Sequence, residues 1–257
     1  MKNNKSLGQH WLKNRNLLNQ IAKLSYTPDA EFCLEIGPGL GTLTSSLLKL
    51  FPEVIAIEYD ARLAGNLRAS FPGKPLTVIH ADILQTDLTT IANSRKYAIA
   101  GNIPYYITSP IIKQVLTSPA PPEKVALLIQ KEVAERIAAS DGHQTMLSLF
   151  VQNLATVELG PVVPAAEFTP PPKVDSQVLI LTPLVRPLVN PACLELAKIG
   201  FSSPRKKLVQ NLATGTNRSK ADWRALLDQY TIDPDCRPGN LDLGDWENLY
   251  HAINPGS

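Results

Sequence analysis

An amide, a proline and two phenol rings stand together in Asn102-Ile103-Pro104-Tyr105-Tyr106, directly after the apolar run Tyr97–Gly101. Just past the end of a buried strand, such a group can grip a planar, nitrogen-bearing ring. The Asn102 amide oxygen and the Ile103 carbonyl can each accept one N–H, Pro104 fixes the backbone between them, and Tyr105 offers a stacking face. Standing alone, the stretch reads better as a strand-end turn with a core tyrosine.

A second group of residues changes that balance. "EIGPGLG", Glu35 to Gly41, lies where a strand turns into a helix, and Gly37, Gly39 and Gly41 let backbone approach a ligand without Cβ clashes. Glu58 ends the next strand, where a carboxylate accepts hydrogen bonds from two ribose hydroxyls; Asp82 ends the one after, where it can accept the exocyclic amine of adenine. An adenosine-containing cofactor is the expectation. The spacing G-x-G-x-G differs from the G-x-G-x-x-G of pyrophosphate-bearing dinucleotides. A carboxylate-leading loop, Glu35-Ile36-Gly37, suits instead the cationic sulfonium and amino-acid end of S-adenosylmethionine. Asn102 and Tyr105 then fall beside a methyl donor. The amine of adenine is a poor nucleophile because its lone pair is delocalised into the ring. Two acceptors draw that pair out toward the methyl group, with a base taken out of its stack and positioned for attack.

The elements needed to hold these residues are legible in the periodicity. Residues 16–24 and 42–50 carry helical spacing. Seven strands are expected at 31–37, 53–60, 76–82, 97–102, 124–130, 155–163 and 175–183, with helices between all but the last two. That predicts an α/β Rossmann-like sheet, mostly parallel, with one antiparallel strand. Beyond Pro183 a proline-spaced linker leads to helical patterns only, so residues 1–183 are expected to form the cofactor-binding domain and 184–257 a small all-helical one. Apolar residues make up 44% of the chain and charged ones 19%, which excludes a disordered protein. The longest apolar runs are too short to cross a bilayer, and the basic N-terminus lacks the apolar core of a signal peptide. Three cysteines, without metal-ligand spacing, indicate a reduced cytoplasmic protein with no metal and no disulfides. The net charge of +2 is uneven: the first 30 residues hold five cations against one acid, and Arg205-Lys206-Lys207 form a second cluster, as in a protein that grips a polyanion locally.

Taken together the motifs resemble the bacterial 16S ribosomal RNA small-subunit adenine dimethyltransferase family over nearly the whole chain. "KSLGQHWL" (with Trp11 in place of phenylalanine), "LEIGPGLGTLT", "IEYD", "AD", "NIPYYIT", "QKEVAERI", "FTPPPKVDSQV", "FSSPRKKLVQNL" and "RPGNLDLGDWENL" come in the family order. The resemblance implies a monomeric enzyme that dimethylates two adjacent adenines near the 3′ end of 16S rRNA in a partly assembled small subunit. It places His10 and Leu12 at the methionine end of the cofactor with Gly37 under it, Glu58 at its ribose and Asp82 at its adenine, and counts Gly39, Tyr59, Ile83 and Asn102 as cofactor-binding too. Asn102 and Tyr105 position the target base, Phe168 closes on its other face, and Lys173, Arg205, Lys206 and Lys207 lie toward RNA, which the resemblance implies the small helical domain contacts. Two departures fall on the expected RNA side: Pro204 replaces an arginine, and "HQTMLS" at His143 to Ser148 lacks the family's aromatic and arginine. The rival readings are a 23S rRNA adenine methylase of the antibiotic-resistance type and a non-catalytic ribosome assembly factor. A DNA adenine methylase lacks a sequence-reading domain here, and a nicotinamide dehydrogenase lacks the loop spacing.

Overall fold

The computed structural model describes residues 9–139 and 142–255. Lys2, Lys5 and the start of the "KSLGQHWL" motif therefore lie outside the described residues. In chain order the elements are β1 (Trp11–Leu12), α1 (Arg15–Ser25), β2 (Phe32–Ile36), α2 (Thr44–Leu47), β3 (Val54–Glu58), α3 (Ala61–Ser70), β4 (Leu76–His80), α4 (Leu88–Ala92), β5 (Tyr97–Asn102) and α5 (Thr108–Leu116). There follow β6 (Lys124–Gln130), α6 (Lys131–Ala138), α7 (Met146–Leu154), β7 (Ala155–Val163), β8 (Phe168–Thr169), β9 (Ser176–Pro183), α8 (Pro191–Gly200), α9 (Leu208–Gly215), α10 (Lys220–Gln229) and α11 (Leu243–Ile253). Seven strands form one sheet in the order β4-β3-β2-β5-β6-β9-β7. The pairs from β4 to β6 are parallel, and β9 runs antiparallel to β6. The sheet is the α/β Rossmann-like architecture expected. Its central strands read as continuous apolar runs because helices cover both faces: β2 and β3 are buried at every position. The order reverses between β2 and β5, the switch point at which open α/β sheets hold ligands.

A two-residue pairing that the periodicity did not announce joins β1 to β8 antiparallel, with Trp11 opposite Thr169 and Leu12 opposite Phe168. It is too short to leave a pattern, and it ties the N-terminal segment to a loop more than 150 residues away.

The chain packs as two compact units, and the division differs from the one expected. One unit comprises the residues up to Ala134 with Thr156–Pro183; the other takes Glu135–Ala155 together with Leu184–Ser257. The reason is α7. Its Leu149 is fully buried in the helical core with Leu212, Trp223, Leu227, Trp246 and Leu249, and Met146 and Phe150 pack against the same cluster. Apart from the exposed His143, the "HQTMLS" departure is part of this structure rather than an open surface. Gln144 and Ser148 are buried, Ser148 donates to Gln144 Oε1 at 2.6 Å, and Thr145 and Ser148 cap α7 reciprocally. Helix α9 starts at Leu208 with Lys207 as its N-cap, so Arg205 and Lys206 sit on the preceding turn with Pro204.

Candidate adenosyl and target-base site

The C-terminal ends of β2, β3, β4 and β5 open into one cavity of about 330 Å³. The glycine loop after β2 forms its floor. Gly37 and Gly39 have φ of +66° and +56°, in the left-handed region that costs other residues strain. A methyl group at Gly37 would approach nothing nearer than the Asn102 carbonyl oxygen at 3.9 Å, so it would project into the cavity itself. At Gly39 it would come to 3.2 Å from the Trp11 ring nitrogen. The loop is thus shaped as a cradle whose free volume exists because these two side chains are missing.

Glu58 closes β3 and is 6% exposed. Its two oxygens each take one backbone N–H, from Asp60 at 2.9 Å and Gly39 at 3.0 Å. A carboxylate offers about four lone-pair sites, so acceptor capacity remains for a ligand beyond these bonds. Burial raises its pKa, backbone N–H groups of Asp60, Gly39 and Tyr59 oppose that rise, and the nearby Asp60 charge adds to it. Asp82, after β4, uses Oδ1 to cap the Ile83–Gln85 turn through the Leu84 N–H at 2.9 Å, leaving Oδ2 for another donor. That turn is braced by Gln114 of α5, whose side chain donates 2.8 Å bonds to the carbonyls of Ile83 and Thr86. Tyr59 and Ile83 also line the cavity, Tyr59 with most of its side chain exposed.

Asn102 ends β5 on the opposite wall. Its Nδ2 donates to the His10 carbonyl at 2.8 Å. A carbonyl can only accept, which fixes the amide's orientation and leaves Oδ1 without a protein partner among the described residues. His10 is held in turn by a 2.7 Å bond between Nδ1 and the Pro170 carbonyl, and its ring stacks near that of Tyr105, 6.1 Å between centroids and 20° between planes. The Tyr105 hydroxyl meets Ser176 Oγ at 2.7 Å; burial raises its pKa, so it stays a neutral phenol.

Sequence reasoning placed His10, Gly37, Gly39, Glu58, Tyr59, Asp82, Ile83, Asn102 and Tyr105 at this site, and all nine line the one cavity. Leu12 and Phe168 do not. They are 1% and 3% exposed and belong to the apolar core, where the β1–β8 pairing sets them opposite each other. The expected carboxylate at Glu35 is also corrected. The side chain is 1% exposed, its Oε2 accepts from Thr44 Oγ1 at 2.6 Å, and burial pushes its pKa up to about 8. At neutral pH it is mainly a protonated acid under the loop. Trp11, Tyr106 and Ser176 were missed: the first two line the cavity, and Ser176 holds Tyr105. "PYY" could have flagged Tyr106; nothing in the sequence marks Ser176 as a partner of a residue 71 positions away. Lys173, Arg205, Lys206 and Lys207 are exposed, and Lys207 is paired with Asp235 at 3.0 Å. Among the described residues no group of three or more His, Cys, Asp or Glu could hold a metal ion, and no helix is long and apolar enough to cross a membrane.

The family model for ribosomal RNA adenine dimethylases matches residues 1–252. A protein of Rippkaea orientalis named ribosomal RNA small subunit methyltransferase A is 40% identical, with 97% of this chain and 98% of that one aligned. One of the same name from Dehalococcoides mccartyi is 36% identical over 99% of this chain and 90% of that one. Among solved structures, a dimethyladenosine transferase from Plasmodium falciparum superposes with a TM-score of 0.79 at 28% identity, covering 95% of this chain and 98% of that one. The 23S rRNA methyltransferase ErmE does so with a TM-score of 0.78 at 26% identity, covering 95% and 99%. With nearly its full length matched, and with the glycine cradle and the strand-end Asn102 lining one cavity, the chain belongs to the ribosomal RNA adenine dimethylase family.

Proposed function

We propose that this protein transfers methyl groups from S-adenosylmethionine to the exocyclic amines of two adjacent adenines near the 3′ end of 16S rRNA, in the cytoplasm, as a monomer acting on a partly assembled small subunit. The observation that carries the reading is the Asn102 amide, whose oxygen is left for a donor by the bond from its nitrogen to His10. It lines the same cavity as Glu58, a carboxylate with acceptor capacity left for a ligand.

The cavity fits the cofactor on its own chemistry. Glu58 would take the two ribose hydroxyls, Asp82 the adenine amine, and the Gly37–Gly39 cradle, with His10 beside it, the amino-acid end. When bound, the cofactor supplies an electrophilic methyl group on a sulfonium. Asn102 Oδ1 and the Ile103 carbonyl accept the two amine hydrogens of the target adenine and draw its lone pair out of the ring. Tyr105, locked by Ser176, gives a face for the base. No general base is required, since the methylated amine is acidic enough to lose its proton to water, and the rate gain comes from positioning. Phe168 acts from behind the wall: it anchors, through Leu12, the segment that carries His10 and Trp11. Lys173, Arg205 and Lys206 contact RNA phosphates, which position without reading sequence.

The test is methyl transfer from labelled S-adenosylmethionine to unmodified small subunits, large subunits and naked 16S rRNA in parallel, with products digested to nucleosides. Dimethyladenosine only from small subunits is expected. Label in large-subunit RNA would reassign the protein to the 23S methylases, and cofactor binding without transfer to any of the three would leave an assembly factor.

A further inference from the structure

The glycine loop continues past the adenosyl cavity. Leu40 and Gly41 line a second cavity, of about 320 Å³, which shares Leu18 and Thr42 with the first and is otherwise bounded by Lys13, Arg15, Ser45 and Phe71. Its polar groups are all potential donors. Lys13 and Arg15 are exposed, and neither forms an ion pair among the described residues. The Thr42 and Ser45 hydroxyls are half-buried, and neither hydrogen-bonds to the protein among those residues. Among the described residues no carboxylate lines the cavity. Between the two cations, Asn14 uses Oδ1 to cap α1 and donates through Nδ2 to one oxygen of Glu167 at 3.1 Å. Two unpaired cations and two unpaired hydroxyls around a roomy concavity complement a tetrahedral anion.

We propose that this cavity holds a backbone phosphate of the RNA strand, next to the nucleotide whose base enters the adenosyl cavity. The inference rests on the reading of the protein as an rRNA adenine methyltransferase. The shared residues Leu18 and Thr42 make the two cavities neighbours along one loop, so a strand that surrenders a base to the first brings its adjoining phosphodiester to the second. Lys13 and Arg15 would then fix the register of the strand relative to Asn102, a positioning contact that carries no sequence information. The basic N-terminal segment, which composition alone marked as a general polyanion grip, acquires one specific seat.

The experiment compares the full chain with the double variant Lys13→Gln, Arg15→Gln and with the charge-retaining Lys13→Arg, Arg15→Lys. Affinity for unmodified 16S rRNA is measured across a salt series, cofactor affinity by calorimetry, and inorganic phosphate serves as a separate ligand. The expected result is a salt slope smaller by roughly 0.7 to 0.9 log units per log unit of salt in the neutral variant, the value for one lost phosphate contact. The charge-retaining variant should recover the slope, and cofactor affinity should not move, because neither side chain lines the adenosyl cavity. An unchanged slope in the neutral variant would overturn the proposal. So would an unchanged slope combined with loss of inorganic phosphate binding, which would make the cavity a site for free phosphate. Failure of the unmodified protein to methylate adenine at all would instead sink the functional reading on which the inference rests.

Discussion

The two compact units use buried side chains in opposite ways. In the α/β unit the interior beneath the loop is chemically costly: Glu35 and Glu58 are both buried acids, retained with hydrogen bonds to Thr44 and to backbone N–H groups. In the helical unit the core is built mainly from two tryptophans and leucines, its buried polar groups are uncharged amides and a hydroxyl such as Gln144, Ser148 and Asn211, and its charges are displayed on exposed turns, as at Arg205 and Lys206. A methyl group added at Gly200 would collide with the Trp246 ring, so even a glycine in this unit serves packing rather than a ligand. The lesson is that one unit depends on where single atoms sit, and the other on its core remaining filled and its surface remaining charged.

That contrast can be broken by substitution. Trp246→Ala removes a fully buried ring and should cost about 3–5 kcal/mol, melting the helical unit first, while calorimetry still finds cofactor binding. Loss of both together would mean that the two units are not separable. Asn102→Ala should lower turnover by roughly 10²- to 10³-fold, the scale set by removing one preorganised hydrogen-bonding group, with cofactor affinity far less affected. Equal losses in both would make Asn102 a structural residue. Glu58→Ala should weaken cofactor binding about 10- to 100-fold, as expected for hydrogen bonds to a charged group; unchanged affinity would remove the ribose assignment.

The buried acid Glu35 gives a pH test of the same contrast. Its pKa is raised from 4.5 to about 8 in the folded protein, so between those values the native state holds a proton that the unfolded chain has lost. Stability from this residue therefore falls as pH rises from about 4.5 to 8, by at most about 1.4 kcal/mol per unit, and levels off above. Glu35→Gln should flatten the melting-temperature profile over that range, and parallel profiles for the two proteins would refute the assignment. The smallest effects belong to the helical surface. Neutralising Arg205 or Lys206 should each reduce the salt slope of RNA binding by about 0.7 to 0.9. Lys207 should matter less, because Asp235 already compensates it.

What the sequence determined by itself follows from short-range physics. Alternation of apolar strands and helical patterns announced the parallel sheet. Glycines before a helix announced a close-approach loop, and acids at successive strand ends announced an adenosyl site, because each of these signals lies within a few residues of its cause. Tertiary structure decided the remainder. Leu12 and Phe168 were assigned to the cavity and instead lie in the core, because a two-residue pairing between distant segments turns them there. Glu35 reads as a charge in the sequence and is a neutral acid in the fold, since desolvation depends on what packs above it. Residues 135–155 sit mid-chain among α/β elements, yet α7 belongs to the helical core because its apolar face finds Trp223 and Trp246 there. The seat of Ser176 against Tyr105 likewise exists only once β9 lies beside β6, which brings a hydroxyl from 71 residues away to the wall of the cavity.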